Sequence, residues 1–142
     1  MDNLTRQQRR KNMQRIRSTD TLPERLVMRA LRKRGLYFSK NVKSIIGKPD
    51  IVFRRKKLAV FIDSDFWHAH PTRFIMPKTN RLYWRTKIER NKARDKYVNR
   101  ALHSSGWRVL RFWEYHVKKN LDLVIDNICM ELQKAIPKIV NY

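Results

Sequence analysis

The sequence predicts an α/β fold, a mixed central sheet flanked by helices, and three observations lead to it. Short runs rich in β-formers recur at DIVF (50–53), LAVFID (58–63) and WRVLRFW (107–113). A stretch from about 80 to 104 has neither Gly nor Pro and is far too long for a strand. Amphipathic patterns precede the first strands and follow the last. The order helix, strands, long helix, strand, helix layers naturally as helices packed on a sheet.

Each element has its own signal. Residues 5–16 are polar, basic and free of Gly and Pro, and read as a short helix or arm. STDT at 18–21 is a helix start: Thr21 and Glu24 have capping-box spacing, and Pro23 suits a first turn. Leu22, Leu26, Ala30 and Leu31 then recur at helical spacing up to Gly35, which ends the helix. Leu36-Tyr37-Phe38 reads as a strand, and GKP at 47–49 as a turn. RRKK at 54–57 is a tight charged connection between DIVF and LAVFID, whose unbroken apolar run suits a central strand covered on both faces. PTRFIMPKT at 71–79 is a Pro-punctuated loop. The long basic helix carries Trp84, Ile88, Tyr97, Ala101 and Leu102 as its apolar positions and stops at SSG, 104–106. A final helix over about 119–135 puts Leu121, Val124, Ile125, Ile128 and Leu132 on one stripe.

The 142 residues suit one domain, 1–142, with 1–18 as a basic N-terminal arm or helix. No apolar run reaches membrane-spanning length, and the first 17 residues contain no secretory h-region, so a cytoplasmic protein is expected. Cys129 is the only cysteine. It allows no internal disulfide and no zinc site needing two thiolates, and its apolar surroundings suit a buried core residue. The charge is +22, from 34 Lys and Arg against 12 Asp and Glu. Such a surface repels itself and calls for a polyanion, nucleic acid first. The N-terminal arm, with Arg9, Arg10, Lys11 and Arg15, is a candidate phosphate-contacting element.

Charge says nothing about chemistry; two acidic positions do. Asp50 heads one strand after a Gly-containing turn, and Asp63 ends the next. Two carboxylates at one sheet edge suit a hard divalent cation such as Mg²⁺, which polarises a scissile phosphate and stabilises the leaving oxygen. FIDSDFWHAH (61–70) adds two imidazoles, one able to act as a general base, and an aromatic pair able to wedge between or stack on bases.

These segments, taken together, resemble the very-short-patch-repair (Vsr-type) mismatch endonucleases, a branch of the PD-(D/E)xK nuclease superfamily. The matching stretches are TRQQRRKNMQRIRSTDT, the helix with Glu24, GKPDIVF, VFIDSDFWHAH, YWRTKIERNKARD and GWRVLRFWE, from about Thr5 to Glu114. The resemblance implies a restriction-endonuclease-like core and a Mg²⁺-dependent endonuclease acting on double-stranded DNA. It implies Asp50 as the principal metal-binding aspartate, with the backbone carbonyl of Ile62 and Asp63 beside it. His68 would handle the proton of the attacking water, Asp95 would orient that histidine, and Glu24 would lie near the metal. Met13, Phe66, Trp67 and Trp84 match residues that penetrate the DNA stack.

There is one large departure. Where the resemblance implies a structural zinc, the positions read Asp65, His70, Thr72 and Tyr115, a set with one good ligand, so no such zinc is expected. Asp65, His70 and His116 would make a poorer substitute. The expected function is strand nicking, at a T:G mismatch of the very-short-patch type. The alternatives are a restriction, homing or mobile-element nuclease with another recognition site, a non-catalytic basic DNA-binding module, and an RNA-binding protein. One chain holds one active site, so cutting both strands would require a dimer or a partner protein. A bacterial or phage nucleoid setting follows from the resemblance.

Overall fold

A computed structural model describes residues 21–68, 70–72 and 74–134. Helix α1 (Leu22–Lys33) leads to the short strand β1 (Ser39–Lys40), then β2 (Ile51–Phe53) and β3 (Leu58–Asp63). The long helix α2 (Arg81–Ser104) follows, then β4 (Arg108–Trp113), α3 (Glu114–Lys119) and α4 (Leu121–Gln133). The N-terminal arm, and with it Arg9, Arg10, Lys11, Met13 and Arg15, lies outside the described residues.

The four strands form one sheet in the order β1-β2-β3-β4. The first three are antiparallel neighbours, with Ile51 opposite Val60. β4 runs parallel to β3, with Phe61 beside Arg111 and Asp63 beside Trp113. A parallel pair needs a long crossover, which α2 supplies. The sheet is therefore mixed and flanked by helices, as expected.

Strand alternation sorts the core into two layers. Ile51, Phe53, Leu58 and Val60 pack with Val27, Met28 and Leu31 of α1, Val117 of α3, and Val124, Ile125 and Ile128 of α4. Ala59 and Phe61 point the other way, against Val98 and Leu102 of α2. LAVFI is thus covered on both faces. Arg34, just past α1, bonds Asp126 of α4 at 3.1 Å and tethers the two helices at their exposed rim.

Four local expectations are corrected. Leu36-Tyr37-Phe38 is not a strand: β1 begins at Ser39, and Tyr37 is 94 % exposed. On α1 the buried stripe is Val27, Met28 and Leu31, while Leu22 lies outside it. On α2 Ile88 and Leu102 are buried as expected, but the third buried position is Val98, and Tyr97 is exposed. The chain after β4 forms two helices, because α3 leaves the strand end directly and buries only Val117 before the break at Asn120.

Two backbone features fix the entry to β2. Gly47 sits at φ +82°, and a Cβ there would come within 2.4 Å of Val98 Cγ1. The turn therefore lies directly on α2, one helical turn from Asp95. Lys48, at φ 50°, follows in the same left-handed region. The chain then straightens through Pro49 into Asp50.

Candidate active site

Thr21 caps α1 by accepting from the Glu24 amide at 3.5 Å. The Glu24 side chain is buried at the sheet end and hydrogen-bonds with that of Asp50. Asp50 is itself buried at the head of β2, where Oδ2 accepts from the Ile62 amide of β3 at 2.7 Å. Burial, followed by the charge of Glu24, pushes Asp50 up to about 8, against the pull of the Ile62 bond; Asp63 adds to the rise. Two abutting carboxylates out of water cannot both be charged at low cost, so a proton or a cation must lie between them.

Asp63 ends β3 and meets a different set of neighbours. Its Oδ1 accepts from Arg111 Nη1 at 2.9 Å and lies 3.9 Å from His68 Nε2. His68 Nδ1 bonds Asp95 Oδ2, and Asp95 Oδ1 is 3.6 Å from the same Arg111 Nη1. The turn that returns His68 to the strand end is local: Ser64 accepts from the His68 amide at 3.1 Å through its carbonyl and from the Trp67 amide at 3.4 Å through its hydroxyl. Burial is the largest influence raising the Asp63 carboxyl, opposed by Arg111 and His68. Burial pulls the His68 imidazole down, yet the Asp95 bond and the charges of Asp63 and Asp95 outweigh it and lift His68 above its ordinary 6.5.

The fold therefore brings Glu24, Asp50, Asp63, His68 and Asp95 to one end of the sheet from two helices, two strand ends and a turn. Among the described residues, one trio of candidate metal ligands converges within 4.8 Å, and it is Asp63, His68 and Asp95. That trio already holds a guanidinium and an internal histidine–carboxylate bond. Beside it, Glu24 and Asp50 add buried carboxylate oxygens, and the charge of Glu24 raises Asp50. Oxygen donors of this kind suit Mg²⁺, and the residues fit it.

Arg111 was not singled out in the sequence. A charged side chain on the face that Val109 shares with the α2 layer, midway along a strand, was the available signal.

Beside this centre lies an aromatic cluster. Phe66 contacts Trp67, Phe74 and Trp84 at ring-centroid distances of 5.0, 5.7 and 5.6 Å, and Trp67 is 5.7 Å from Trp84. All four are half-buried. Asn91 of α2 donates to the Trp67 carbonyl at 3.2 Å, and Lys87 Nζ lies 4.8 Å from the Trp67 ring centre. Phe66, Trp67 and Trp84 are thus neighbours in space. Met13 lies outside the described residues.

The implied zinc positions make no closed tetrahedral donor set. His70 is buried, with its ring 4.7 Å from Trp113 and 6.4 Å from Tyr115. Its Nδ1 accepts from the Thr72 amide at 3.1 Å, and its own amide donates to the Asp65 carbonyl at 2.8 Å. The Asp65 amide donates to Glu114 at 3.2 Å. His116 is exposed, 5.9 Å from His70 between ring centres. Among the described residues these positions do not converge as a set of three His, Cys, Asp or Glu ligands.

No helix among the described residues is long and apolar enough to cross a membrane.

Comparison with known proteins matches residues 1–73 to the family described as DNA mismatch endonuclease Vsr. The chain is 47% identical over 122 residues to the type II nicking enzyme V.NmeDIP of Neisseria meningitidis serogroup C, covering 84% of this chain and 82% of the relative. It is 43% identical over 139 residues to the type II nicking enzyme V.HpaIIP of Haemophilus parainfluenzae, covering 96% of each. With the DNA mismatch endonuclease Vsr of Escherichia coli K12 it shares 33% identity over 129 residues, 90% of this chain and 83% of the relative.

Proposed function

The chain belongs to the Vsr family of DNA mismatch endonucleases and is a DNA endonuclease; on that premise we propose that it nicks one strand of double-stranded DNA in a Mg²⁺-dependent reaction, at a T:G mismatch. The observation that carries the reading is the buried Glu24–Asp50 carboxylate pair set beside a His68–Asp95 couple. A pure phosphate binder gains nothing from four such groups, because carboxylates repel phosphates unless a cation intervenes.

Asp50, the Ile62 carbonyl and Asp63 are the groups to hold the metal, with Glu24 behind them. Bound Mg²⁺ supplies Lewis-acid polarisation of the scissile phosphate and charge stabilisation at the leaving oxygen. The remaining chemistry belongs to side chains. His68, fixed through Nδ1 by Asp95, presents Nε2 to the strand end. There it accepts the proton of the attacking water, and Asp95 stabilises the imidazolium that forms. Phe66, Trp67 and Trp84 offer a rigid apolar ridge to wedge beside the unpaired or mismatched step, and wedges of this kind unstack DNA at a cost least for a mismatch. Met13 joins them in this reading. Arg9, Arg10, Lys11 and Arg15 contact phosphates, fixing register without reading sequence. One site cuts one strand, so a double-strand cut takes a dimer or a partner protein.

A second reading keeps the chemistry and changes the target. The relatives named as type II nicking enzymes are more similar to this chain than the mismatch endonuclease is, which favours a nicking enzyme defined by a different recognition site. One experiment tests both. Supercoiled plasmid and duplexes carrying each mismatch or none are incubated with the protein, with and without Mg²⁺, beside Asp50→Ala. Nicking that needs Mg²⁺ and Asp50 supports the nuclease, and its restriction to T:G duplexes supports the mismatch reading. Binding without conversion on any substrate would sink both.

A further inference from the structure

Arg111 stands in the middle of β4, on the face turned to α2, and its guanidinium is engaged through Nε, Nη1 and its flat face. Nη1 lies 2.9 Å from Asp63 Oδ1 and 3.6 Å from Asp95 Oδ1. Nε donates to Asn99 Oδ1, one helical turn beyond Asp95, at 2.8 Å. The guanidinium carbon sits 4.0 Å from the centre of the Phe61 ring, beside it on the neighbouring strand. This is a charged fork held at three points in a largely dry setting, its side chain 17% exposed.

We propose that Arg111 is a built-in counter-ion that positions Asp63 and Asp95 for the reaction, so that the proton-handling side of the site is assembled before metal or DNA arrives. The inference rests on the nuclease reading above. Its physical basis is the meeting of two carboxylates at one imidazole. Asp63 and Asp95 each place an oxygen within 4.8 Å of the other and of a His68 nitrogen, and without a cation they would repel each other apart. Arg111 bridges them from β4. By holding Asp95 Oδ1 it leaves Oδ2 aimed at His68 Nδ1, and by holding Asp63 Oδ1 it fixes the carboxylate nearest Nε2. Asn99 and Phe61 keep the fork in the orientation that does both. Arg111 is a positioning residue and touches no reacting atom. Lysine cannot replace it, because a single ammonium lacks the planar fork that spans Asn99 and the carboxylates together.

The test compares Arg111→Met, Arg111→Lys and Asn99→Ala with the wild-type chain. Nicking gives kcat and KM for DNA. Mn²⁺ binding to the DNA-free protein, followed by electron paramagnetic resonance, reads the site's charge independently of activity. Arg111→Met is expected to lower kcat by about 10- to 100-fold, as loss of a residue supporting an active-site ligand does, with KM for DNA unchanged and Mn²⁺ bound several-fold more tightly. Arg111→Lys keeps the charge, so Mn²⁺ affinity stays at the wild-type value while kcat recovers only in part. Asn99→Ala leaves the guanidinium present but loosely aimed; kcat falls by less and Mn²⁺ affinity does not move. Should Arg111→Met fail to fold, Asn99→Ala and Arg111→Lys carry the same kcat-against-affinity distinction. The proposal is overturned by unchanged kcat in the variants. It is equally overturned by a loss of DNA affinity with a shallower salt dependence, the mark of a phosphate contact. A wild-type chain that binds Mn²⁺ but nicks nothing refutes the nuclease reading instead, and the Mn²⁺ comparison still decides the role of Arg111 as counter-ion.

Discussion

The two sides of the candidate site solve the same electrostatic problem in opposite ways. On the α1 side, Glu24 and Asp50 are buried against one another, and Asp50 is pushed up to about 8. On the α2 side, Asp63 and Asp95 also converge, yet Arg111 and His68 bridge them. The charge of Glu24 raises Asp50, whereas Arg111 and His68 pull Asp63 down. On the nuclease reading proposed above, Asp50 and Asp63 hold the dication where the two sides meet, and proton handling belongs with His68 and Asp95. A site divided in this way can keep its base oriented while the metal exchanges.

The sharpest way to break the comparison is Asp50→Asn. The amide keeps the shape and still accepts the Ile62 N–H. Nicking is expected to fall by about 10³-fold or more, the scale of losing metal-borne transition-state stabilisation. The same substitution removes a buried charge beside Glu24, so the metal-free protein should melt higher than wild type in alkaline buffer. Thermal melts and plasmid nicking on one preparation check both halves. A variant that lost activity and stability together would erase the contrast between the two sides.

On the α2 side, His68→Gln is expected to cost about 10²- to 10⁴-fold in kcat, the usual worth of general acid–base catalysis. The pH dependence sharpens this. His68 must be neutral to accept a proton, and it lies above its ordinary 6.5, so the acid limb of the rate profile should fall above that value. Asp95 raises His68. Asp95→Asn should therefore move the acid limb downwards while lowering the plateau. An acid limb that stays put in the variant would detach Asp95 from the histidine.

A smaller effect, in stability, separates the sides by pH. Asp50 goes from 3.8 unfolded to about 8 folded, so folding favours its protonated form. That contribution is complete below about 3.8 and is lost as pH climbs through about 8. On the nuclease reading, bound Mg²⁺ would take the place of the proton, and its stabilisation would add by mass action. The rise in melting temperature on adding Mg²⁺ should thus be larger above about pH 8 than below about pH 5, and Asp50→Asn should flatten it.

The smallest test is structural. Gly47→Ala puts a Cβ into Val98 and an alanine at a left-handed φ, at a cost of about 1–3 kcal/mol. Val98→Ala opens a cavity of its own, so the steric part is the coupling between the two substitutions in a double-mutant cycle. Chemical denaturation of the single and double variants measures the split.

Much of this was legible in the sequence, for identifiable reasons. β3 announces itself by an unbroken apolar run, and Asp63 is simply its last residue, so the strand and its terminal acid were read together. His68 follows within one turn and could hardly lie elsewhere. Glu24 was ambiguous because the spacing that marks a helix cap also points the side chain at Asp50. The face of α2 was misread at Tyr97 because basic residues ring the helix, leaving three buried positions, Ile88, Val98 and Leu102, to define it. Arg111 was invisible for a related reason: among 34 Lys and Arg, one inward-facing guanidinium differs from the others only through its strand partner. That partner, β3, is set by tertiary pairing and not by any local pattern. α3 escaped notice because EYHVKK shows one buried residue and no preceding turn.

The parallel pairing of β3 with β4 also has a kinetic meaning. Asp63 and Trp113 stand side by side although all of α2 and its flanking loops separate them along the chain. β2 and β3, by contrast, meet across a four-residue turn. Long-range pairings close slowly because loop entropy is lost before their contacts form. Arg111 reaches Asp63 and Asp95 only when that last closure is made. During refolding the β2–β3 hairpin and its packing on α1 can form early, while the ability to cut DNA returns only with the final step, so enzymatic competence would serve as a clock for completion of the sheet.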